Sequence, residues 1–247
     1  MPSRDNIYFT LLQPREPGNV GAAARAIKNM GFEHLCLVAP CDYINAEARA
    51  FAHGAIDVLE GATVCETLTE AVDDKAIVVG TTRHMGKRRG VIYTIKEAVA
   101  GIARTAINNR VAILFGREDN GLLSEEINRC GFLMTIATSE AQPSLNLAQA
   151  VLIVAYELSA AFMNNDTPAR RPPTPGLVPQ AQLNRLYDRI AETLRNLDIA
   201  NRGSEDLESD IVRNIGHLIG RYGLTHWEVN MLHGICTAIN HKCKRSG

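Results

Sequence analysis

One stretch of the chain decides its fold class: residues 7–27 read IYFTLLQPREPGNVGAAARAI. The first six residues are apolar, aromatic or β-branched and predict a buried strand. A loop with prolines and glycines follows, and the alanine-rich residues after it favour a helix. A strand, a glycine-bearing loop and a helix in this order are typical of an α/β protein.

Four more segments before residue 165 predict strands, at residues 34–38, 76–80, 111–115 and 133–136. Several are apolar at consecutive positions, as in strands that helices cover on both faces of a sheet. Helical patterns lie between them: Thr94 with Glu97 forms a capping box, and Ser124 is a suitable N-cap for another helix. The alternation of strands and helices predicts a mostly parallel α/β sheet.

Prolines mark the clearest boundary in the chain. Five of them lie between residues 164 and 180, where they disfavour helix and predict an extended, semi-rigid segment. The residues after this segment have helical apolar periodicity throughout, which predicts three amphipathic helices, and Thr225 with Glu228 forms a capping box for the third. We therefore predict an α/β domain over residues 1–165, a Pro-rich linker over 166–179 and a small all-helical domain over 180–247.

Length and composition exclude several classes of protein. The chain has 247 residues, of which 46% are hydrophobic and 21% are charged, which fits neither a disordered nor a fibrous protein. It has no apolar run long enough to span a bilayer and no signal-type segment after Met1, so we expect a cytoplasmic protein without membrane contact. The six cysteines form no C-x-x-C pair and follow no zinc-ligand spacing, so we expect reduced thiols and no metal site.

Net charge predicts no particular partner. The whole chain carries −1, while residues 1–165 carry −3 and residues 166–247 carry +2. This asymmetry is too small to predict a nucleic-acid partner on its own. Candidate functional residues therefore have to be sought in the loops.

The loop over residues 13–25 is the first candidate, because ligands of parallel α/β sheets bind beyond the carboxyl ends of the strands. Its glycines have the spacing G-x-x-G in place of the dinucleotide fingerprint G-x-G-x-x-G, and the strand at 34–38 ends without the acidic residue that holds a ribose. A nicotinamide-dependent oxidoreductase is therefore disfavoured. Asn19 and Arg25 are candidate ligand contacts; the alternative is that the small residues of this loop only pack a helix against the sheet.

Basic side chains dominate the second candidate loop, which covers residues 80–90. It contains Arg83, His84 and the basic run at residues 87–89. A basic loop after a strand suits contact with a phosphate backbone. The alternative is a solvated run of charges without a ligand.

The third and fourth candidate loops follow the strands at 111–115 and 133–136. Gly116 would allow a ligand to approach the main chain closely, and Glu118 is either a site residue or an ordinary loop carboxylate. Ser144 is a suitable N-cap for the long apolar helix after it. Asn146 then falls in the first turn of that helix, where asparagine is unfavourable and its amide can address a ligand.

Several common catalytic motifs do not occur in the sequence. It has no G-x-x-x-x-G-K-[ST], no H-E-x-x-H and no G-x-S-x-G. His217, His226 and His233 lie in the helical tail, where we interpret them as satisfied imidazoles rather than as ligands.

Three motifs in order carry a resemblance to a known family. They are Asn19 with Arg25, the segment over residues 115–122 with Gly116, Glu118 and Gly121, and the segment Ser144-Leu145-Asn146-Leu147. Together they resemble the motifs of the SPOUT-class (TrmH-like) RNA 2′-O-ribose methyltransferases, and within that class the chain is most similar to the TrmJ-type tRNA enzymes. The resemblance covers essentially residues 5–165 and extends more loosely over the linker and the helical tail.

The resemblance implies a fold, a cofactor and a set of site residues. The parallel sheet should contain a C-terminal trefoil knot where the Gly116 and Ser144 loops thread past one another, although knots are very rare. S-adenosylmethionine should bind in that knot, and Asn19, Arg25 and Ser144 are the implied catalytic residues. Arg25 should reach the cofactor of a second subunit, so a homodimer with a composite active site is implied. The implied cofactor contacts are Thr81, Thr82, Arg83, Gly116, Ile136, Pro143, Ser144 and Leu145.

The implied reaction is methylation of a ribose 2′-hydroxyl in tRNA, at nucleotide 32, with cytidine, uridine or both accepted. Because a guanidinium stays protonated in proteins, we interpret Arg25 as a cation that clamps phosphate and stabilises the developing alkoxide, not as a base. The proton acceptor stays open between phosphate, water and Ser144. Glu118 and Asn146 are interpreted as residues that shape the loops, and Asn19 as orienting Arg25 or the ribose. The helical tail either extends the grip on tRNA or completes the dimer, and an RNA-binding module without catalysis is the alternative to an enzyme.

Overall fold

A seven-stranded, all-parallel sheet forms the centre of the protein. The computed structural model describes residues 4–83, 91–164, 174–198 and 207–246. The strands are β1 (Ile7–Leu12), β2 (His34–Val38), β3 (Thr63–Cys65), β4 (Ile77–Thr81), β5 (Ile92–Thr94), β6 (Val111–Phe115) and β7 (Phe132–Thr135). Their order in the sheet is β3-β2-β1-β6-β4-β7-β5, and all six pairings are parallel. The predicted α/β class and the five predicted strands are confirmed, two of them with bounds shifted by one residue.

Helices connect the strands and continue after the sheet ends. They are α1 (Pro17–Asn29), α2 (Ala46–Phe51), α3 (Ile56–Glu60), α4 (Leu68–Val72), α5 (Ile95–Thr105), α6 (Ser124–Asn128), α7 (Leu147–Asn164), α8 (Gln180–Asn196), α9 (Leu207–Gly220) and α10 (His226–Ser246). The two predicted capping boxes are present, at Thr94 with Glu97 before α5 and at Thr225 with Glu228 before α10. Among the described residues, no helix combines the length and apolar character needed to cross a bilayer.

Buried residues alternate between the two faces of the sheet. In β6, Val111, Ile113 and Phe115 belong to the larger apolar cluster, which also contains side chains of α1, α5 and α7. Ala112 and Leu114 belong to the smaller cluster, on the face covered by α4 and α6. This alternation explains why β6 is apolar at every position.

The helices after residue 180 pack against the edge of the sheet at which the strands begin, here called the amino edge. The backbone N–H of Gln180 donates to the carbonyl of Lys75, just before β4, at 2.8 Å. Asn109, just before β6, bonds to Pro175 and Leu177 at 2.9 and 2.7 Å. Residues 174–179 are therefore bonded to the sheet, whereas residues 165–173 lie outside the described residues. The predicted division at 165 and 180 stays a prediction.

Two glycines show how closely the helical part approaches the sheet. A Cβ atom added to Gly131, just before β7, would lie 1.9 Å from the carbonyl oxygen of Gly220 at the end of α9. Beside this contact, His217 Nδ1 lies 3.3 Å from the carbonyl oxygen of Cys130. The helices thus occupy the amino edge and leave the opposite edge, here called the carboxyl edge, to the loops.

Candidate active site

One cavity opens at the carboxyl edge, where β4, β6 and β7 end. The loops after these three strands form its walls. All the residues that the sequence predicted as cofactor contacts line this cavity: Thr81, Thr82, Arg83, Gly116, Ile136, Pro143, Ser144 and Leu145. The structure therefore brings the Gly116 and Ser144 loops together.

Hydrogen bonds join the end of β4 to β6 and β7 at the cavity. Thr81 Oγ1 donates to the carbonyl of Leu114 at 2.8 Å, which joins β4 to β6. The backbone N–H of Thr82 donates to the carbonyl of Met134 at 2.9 Å, which joins β4 to β7. The basic residues predicted to contact phosphate, His84 and residues 87–89, lie outside the described residues.

A tight turn after β6 forms one wall of the cavity. Arg117 and Gly121 pair across it, with N···O distances of 3.2 and 2.9 Å, and Gly121 has a positive φ of 66°. A Cβ atom on Gly116 would lie 2.0 Å from the carbonyl carbon of Gly121. Glycine is required at 116 because the chain folds back on itself there, and the ligand approach that the sequence predicted at Gly116 stays a prediction.

A polar network joins the three motifs of the sequence next to the cavity. Asn19 Nδ2 donates to Glu118 Oε1 at 3.1 Å, and Asn146 Nδ2 donates to Asn19 Oδ1 at 2.8 Å. Glu118 also accepts the backbone N–H groups of Arg15 and Glu16 at 3.3–3.4 Å, at the start of α1. A carboxylate is favourable at a helix N-terminus, so Glu118 holds the first turn of α1. Glu118 is therefore a structural centre of this site and not an ordinary loop carboxylate.

The N-cap of α7 differs from the sequence prediction. Asn146, and not Ser144, caps the helix: its Oδ1 accepts the backbone N–H groups of Ala148 and Gln149 at 2.9 and 3.3 Å. Ser144 lies in the loop before the cap, half-buried at the cavity. The same asparagine thus ends the loop and, through its Nδ2, bonds to the network.

Arg25 lies apart from the cavity of its own chain. Its side chain is exposed on α1, and within the described ranges it makes no hydrogen bond or ion pair. Asn19, which the sequence predicted to orient Arg25 or a ribose, bonds to Glu118 and Asn146 and not to Arg25, and its role toward a ribose stays a prediction. Of the three predicted catalytic residues, Ser144 lines the cavity, Asn19 belongs to the adjoining network, and only Arg25 is separate.

An apolar groove lies between α1, α2 and α7, on the outside of the network. Asn19, Ala22 and Ala26 of α1 line it together with Phe51 and Leu152. Leu152, Tyr156 and Met163 follow one face of α7 and are 40%, 58% and 66% exposed. An exposed apolar strip of this kind is typical of a surface that another molecule covers.

Sequence reasoning missed one buried ion pair at the site. Arg117 donates from Nη1 and Nη2 to Glu126 at 3.1 and 2.9 Å, and their side chains are 8% and 14% exposed. Arg117 Nε also donates to Gln13 Oε1 at 2.7 Å. The sequence analysis did not predict that Arg117 and Glu126 are partners. Their pairing depends on the turn at Gly121, which no local pattern reveals.

Burial and a nearby carboxylate act on the thiol of Cys41 beside the network. Burial raises the pKa of the Cys41 thiol, and the nearby Glu118 carboxylate raises it further, so this thiol stays protonated at neutral pH. No cluster of three or more His, Cys, Asp or Glu side chains that could hold a metal ion occurs in residues 4–83, 91–164, 174–198 and 207–246.

Comparisons with known proteins agree with this geometry. The SpoU rRNA Methylase family matches residues 6–156. A tRNA (cytidine/uridine/adenosine-2′-O-)-methyltransferase TrmJ of Pseudomonas aeruginosa is 34% identical over 246 residues, which cover 94% of this chain and 93% of that protein. The crystal structure of TrmJ from Z. mobilis has a TM-score of 0.77 at 30% identity, covering 94% of this chain and 98% of the other. The SpoU methyltransferase AviRb from Streptomyces viridochromogenes, solved with AdoMet, has a TM-score of 0.54 at 20% identity over 65% of this chain and 62% of its own, a likeness of fold alone.

Proposed function

Because the chain belongs to the SpoU rRNA methylase family, we propose that it transfers a methyl group from S-adenosylmethionine to a ribose 2′-hydroxyl of tRNA. One observation carries the proposal: the Gly116 and Ser144 loops meet in one cavity, directly beside the network of Asn19, Glu118 and Asn146. The TrmJ enzymes to which the chain is similar are named for this reaction on tRNA.

The lining of the cavity has the chemistry that S-adenosylmethionine needs. Ile136, Leu145 and Leu147 offer apolar surface for the purine. Glu118 and Asp119 at the same cavity offer negative charge to a cationic sulfonium. When bound, the cofactor supplies an activated methyl group. The AdoMet complex of AviRb, a protein of the same fold, supports this choice of donor.

The chain's task in this reaction is mainly to position the acceptor. The ribose oxygen has to be held in line with the methyl carbon and the sulfur, and such alignment is worth up to about 7–11 kcal/mol. The turn at Gly116–Gly121 and the loop at Ser144 form the walls that fix the donor side. Arg25 binds the RNA phosphate and stabilises the developing negative charge on the 2′-oxygen, because its guanidinium stays protonated. The 2′-hydroxyl proton passes to phosphate, water or Ser144.

The active site is composite, with Arg25 of the partner subunit completing the cavity. Two observations support this dimer: Arg25 stands outside the cavity of its own chain, and exposed Leu152, Tyr156 and Met163 form an apolar strip next to the α1 groove. An isologous dimer through this surface would bury the strip on both subunits.

A mixed dimer tests the composite site. R25A and S144A chains with different tags are coexpressed, and the heterodimer is isolated by both tags. One of its two sites then has both native residues, so it should show about half the parent activity, while either homodimer is inactive. If the heterodimer is as inactive as the homodimers, Arg25 and Ser144 act within one chain and the composite site is wrong.

The direct test of function is methylation of tRNA by the purified protein. Labelled S-adenosylmethionine and tRNA transcripts should yield a 2′-O-methyl group at nucleotide 32 of the anticodon loop, on cytidine, uridine or both. A transcript with a 2′-deoxynucleotide at position 32 lacks the acceptor oxygen and is the matched control. Methylation of that control would show that the target is another nucleotide. If no tRNA is methylated, the proposed function is wrong.

We also propose that the chain is knotted and works in the cytoplasm, where tRNA is available. The meeting of the Gly116 and Ser144 loops at one cavity supports the trefoil knot. A chain of 247 residues stretched by its ends should stop short of the roughly 3.3–3.6 Å per residue of an unknotted chain. If the stretched chain reaches this full length, the chain is not knotted.

A further inference from the structure

Three consecutive side chains of one turn reach from the cavity wall to the loop in front of α1. Arg117 Nε donates to Gln13 Oε1 at 2.7 Å. Glu118 accepts the backbone N–H of Arg15 at 3.3 Å, and Asp119 pairs with the Arg15 side chain. The turn lines the cavity on one side and holds the loop of residues 13–16 on the other.

Arg117 is the most constrained of the three side chains. Its side chain is 8% exposed, and its guanidinium donates to both oxygens of Glu126. Glu126 in turn accepts the backbone N–H of Leu123 at 2.7 Å. A buried, bidentate pair holds its partners in one geometry, and removing one partner leaves an uncompensated charge. The pair of Arg15 with Asp119 is 60% and 41% exposed, and such pairs contribute little.

Gln13 adopts a backbone conformation that is unusual for its residue type. Its φ is +46°, in the left-handed region that non-glycine residues rarely adopt. The backbone N–H of Gln13 donates to the carbonyl of Val38 at 2.8 Å, and its side chain accepts from Arg117. Since Gln13 directly follows β1, its conformation sets the direction in which the chain enters α1 with Asn19 and Arg25.

We propose that Arg117 is a positioning residue for methyl transfer: anchored by Glu126, it holds Gln13 and thereby sets the placement of α1 against the cofactor cavity. The proposal rests on the proposed function. Arg117 itself lines the cavity, whereas Gln13 and Glu126 do not, so an effect of Gln13 reaches the reaction through the placement of α1 and not through contact with the donor.

Two substitutions of Gln13 isolate this contact. Gln13→Met has a similar length but no acceptor for Arg117, whereas Gln13→Glu retains an acceptor oxygen, and both keep the same backbone demand. At saturating S-adenosylmethionine and tRNA, we expect kcat of Q13M to fall about tenfold and that of Q13E to stay within about threefold, since small misplacements of reacting groups are costly. The dissociation constant for S-adenosylmethionine, measured by calorimetry, should change less than about twofold in both.

A double substitution and a remote control complete the design. If Arg117 acts through Gln13, R117M/Q13M should be no slower than R117M alone. Arg110→Met removes an exposed arginine that pairs with Asp74 at the amino edge, opposite the cavity, and should leave kcat unchanged. Equal losses in Q13M and Q13E, an unchanged kcat in Q13M, or a parallel loss of cofactor affinity would each overturn the positioning role.

Hydrogen exchange separates this proposal from the proposed function. The amides of residues 15–20 should exchange about tenfold faster in Q13M than in Q13E, because the loop in front of α1 loses its side-chain anchor. This measurement needs no activity. If the parent chain methylates no tRNA, the proposed function fails, while equal exchange in the two variants overturns the positioning role itself.

Discussion

Lys75 at the amino edge of the sheet and Arg25 on α1 are two cations with opposite surroundings. At the amino edge, the side chain of Lys75 is only 7% exposed and pairs with Asp74. Its amine lies 4.0 Å from the centre of the Tyr8 ring. On α1, Arg25 is exposed and makes no hydrogen bond or ion pair to the described part of the chain. A cation with protein partners contributes to packing, whereas a cation without them is available to a ligand.

The backbone also differs between the two edges of the sheet. At the amino edge, the chain is closed by contacts such as Gly131 with Gly220 and by the hydrogen bond from Gln180 to Lys75. At the carboxyl edge, Gln13 and Ala39 have positive φ values directly after β1 and β2, a conformation that residues other than glycine rarely adopt. We infer that the amino edge holds the helical part in place and that the carboxyl edge carries out the chemistry.

The largest expected effect is at Arg25. Arg25→Ala should lower kcat by about 10²–10³-fold, the usual cost of removing a group that stabilises developing negative charge. Arg25→Lys keeps the charge but loses the planar fork, so we expect it to stay well below the parent. Initial rates of methyl transfer to tRNA measure both. Near-full activity of R25K would contradict the role of Arg25 as a bidentate clamp.

The next effect concerns the stability of the amino edge. Gly131→Ala places a methyl group 1.9 Å from the Gly220 carbonyl, so we expect a loss of about 2–3 kcal/mol in the free energy of unfolding. Gly234→Ala in α10 is the matched control: nothing lies within 4 Å of its added Cβ, and it should stabilise by about 0.5–1 kcal/mol. Denaturant titrations give both values. Equal stability of G131A and G234A would mean that the helical part does not pack on the sheet in this way.

A smaller effect is expected at Glu118, where the network meets α1. Glu118→Gln keeps the shape but removes the charge that accepts N–H groups from Asn19, Arg15 and Glu16, so about 1–2 kcal/mol of stability should be lost. The kcat of folded E118Q should fall as well. Folded G131A should keep the parent kcat, so the two variants distinguish the two edges of the sheet. An E118Q protein with parent activity and lower stability would make Glu118 purely structural.

The smallest effect is a pH dependence at His217. Burial lowers the pKa of His217 below its usual 6.5 and outweighs the opposing bond to the Cys130 carbonyl. The unfolded chain therefore binds this proton more readily, and stability that is present above pH 6.5 should decline as the pH falls through and below 6.5. Unfolding titrations at several pH values measure the slope, which His217→Gln should reduce and exposed His226→Gln should not. If the free energy of unfolding of H217Q depends on pH as strongly as that of the parent, His217 is not the cause of this dependence.

The central strands could be predicted because their signal is local. β1, β2 and β6 were found with their bounds, since a buried parallel strand is apolar at consecutive positions. The three-residue strands β3 and β5 were missed. They lie at the two ends of the sheet, and Val64 of β3 is 53% exposed, so no apolar run distinguishes them from loop.

The residues of the candidate site could be predicted from the sequence, but the hydrogen bonds and ion pairs between them could not. The residues assigned to the cavity lie at strand ends, which order along the chain and the resemblance to a family both indicated. The prediction of Ser144 as N-cap was wrong. Serine and asparagine are about equally favourable at this position, and the path of the loop places Asn146 at the start of α7. The pair of Arg117 with Glu126 was missed for a similar reason: it forms only once the turn at Gly121 has closed.

The sequence by itself determined the α/β class, the central strands, the helical end and the loops that carry the candidate site. These features follow from periodicity, glycine and proline placement, and capping, each of which acts over a few residues. Only the tertiary structure decided that Asn19, Glu118 and Asn146 share one network, that Gln13 is held by Arg117, and that the helices cover the amino edge. Such contacts join residues about a hundred positions apart, and their geometry depends on packing that no short stretch of sequence contains.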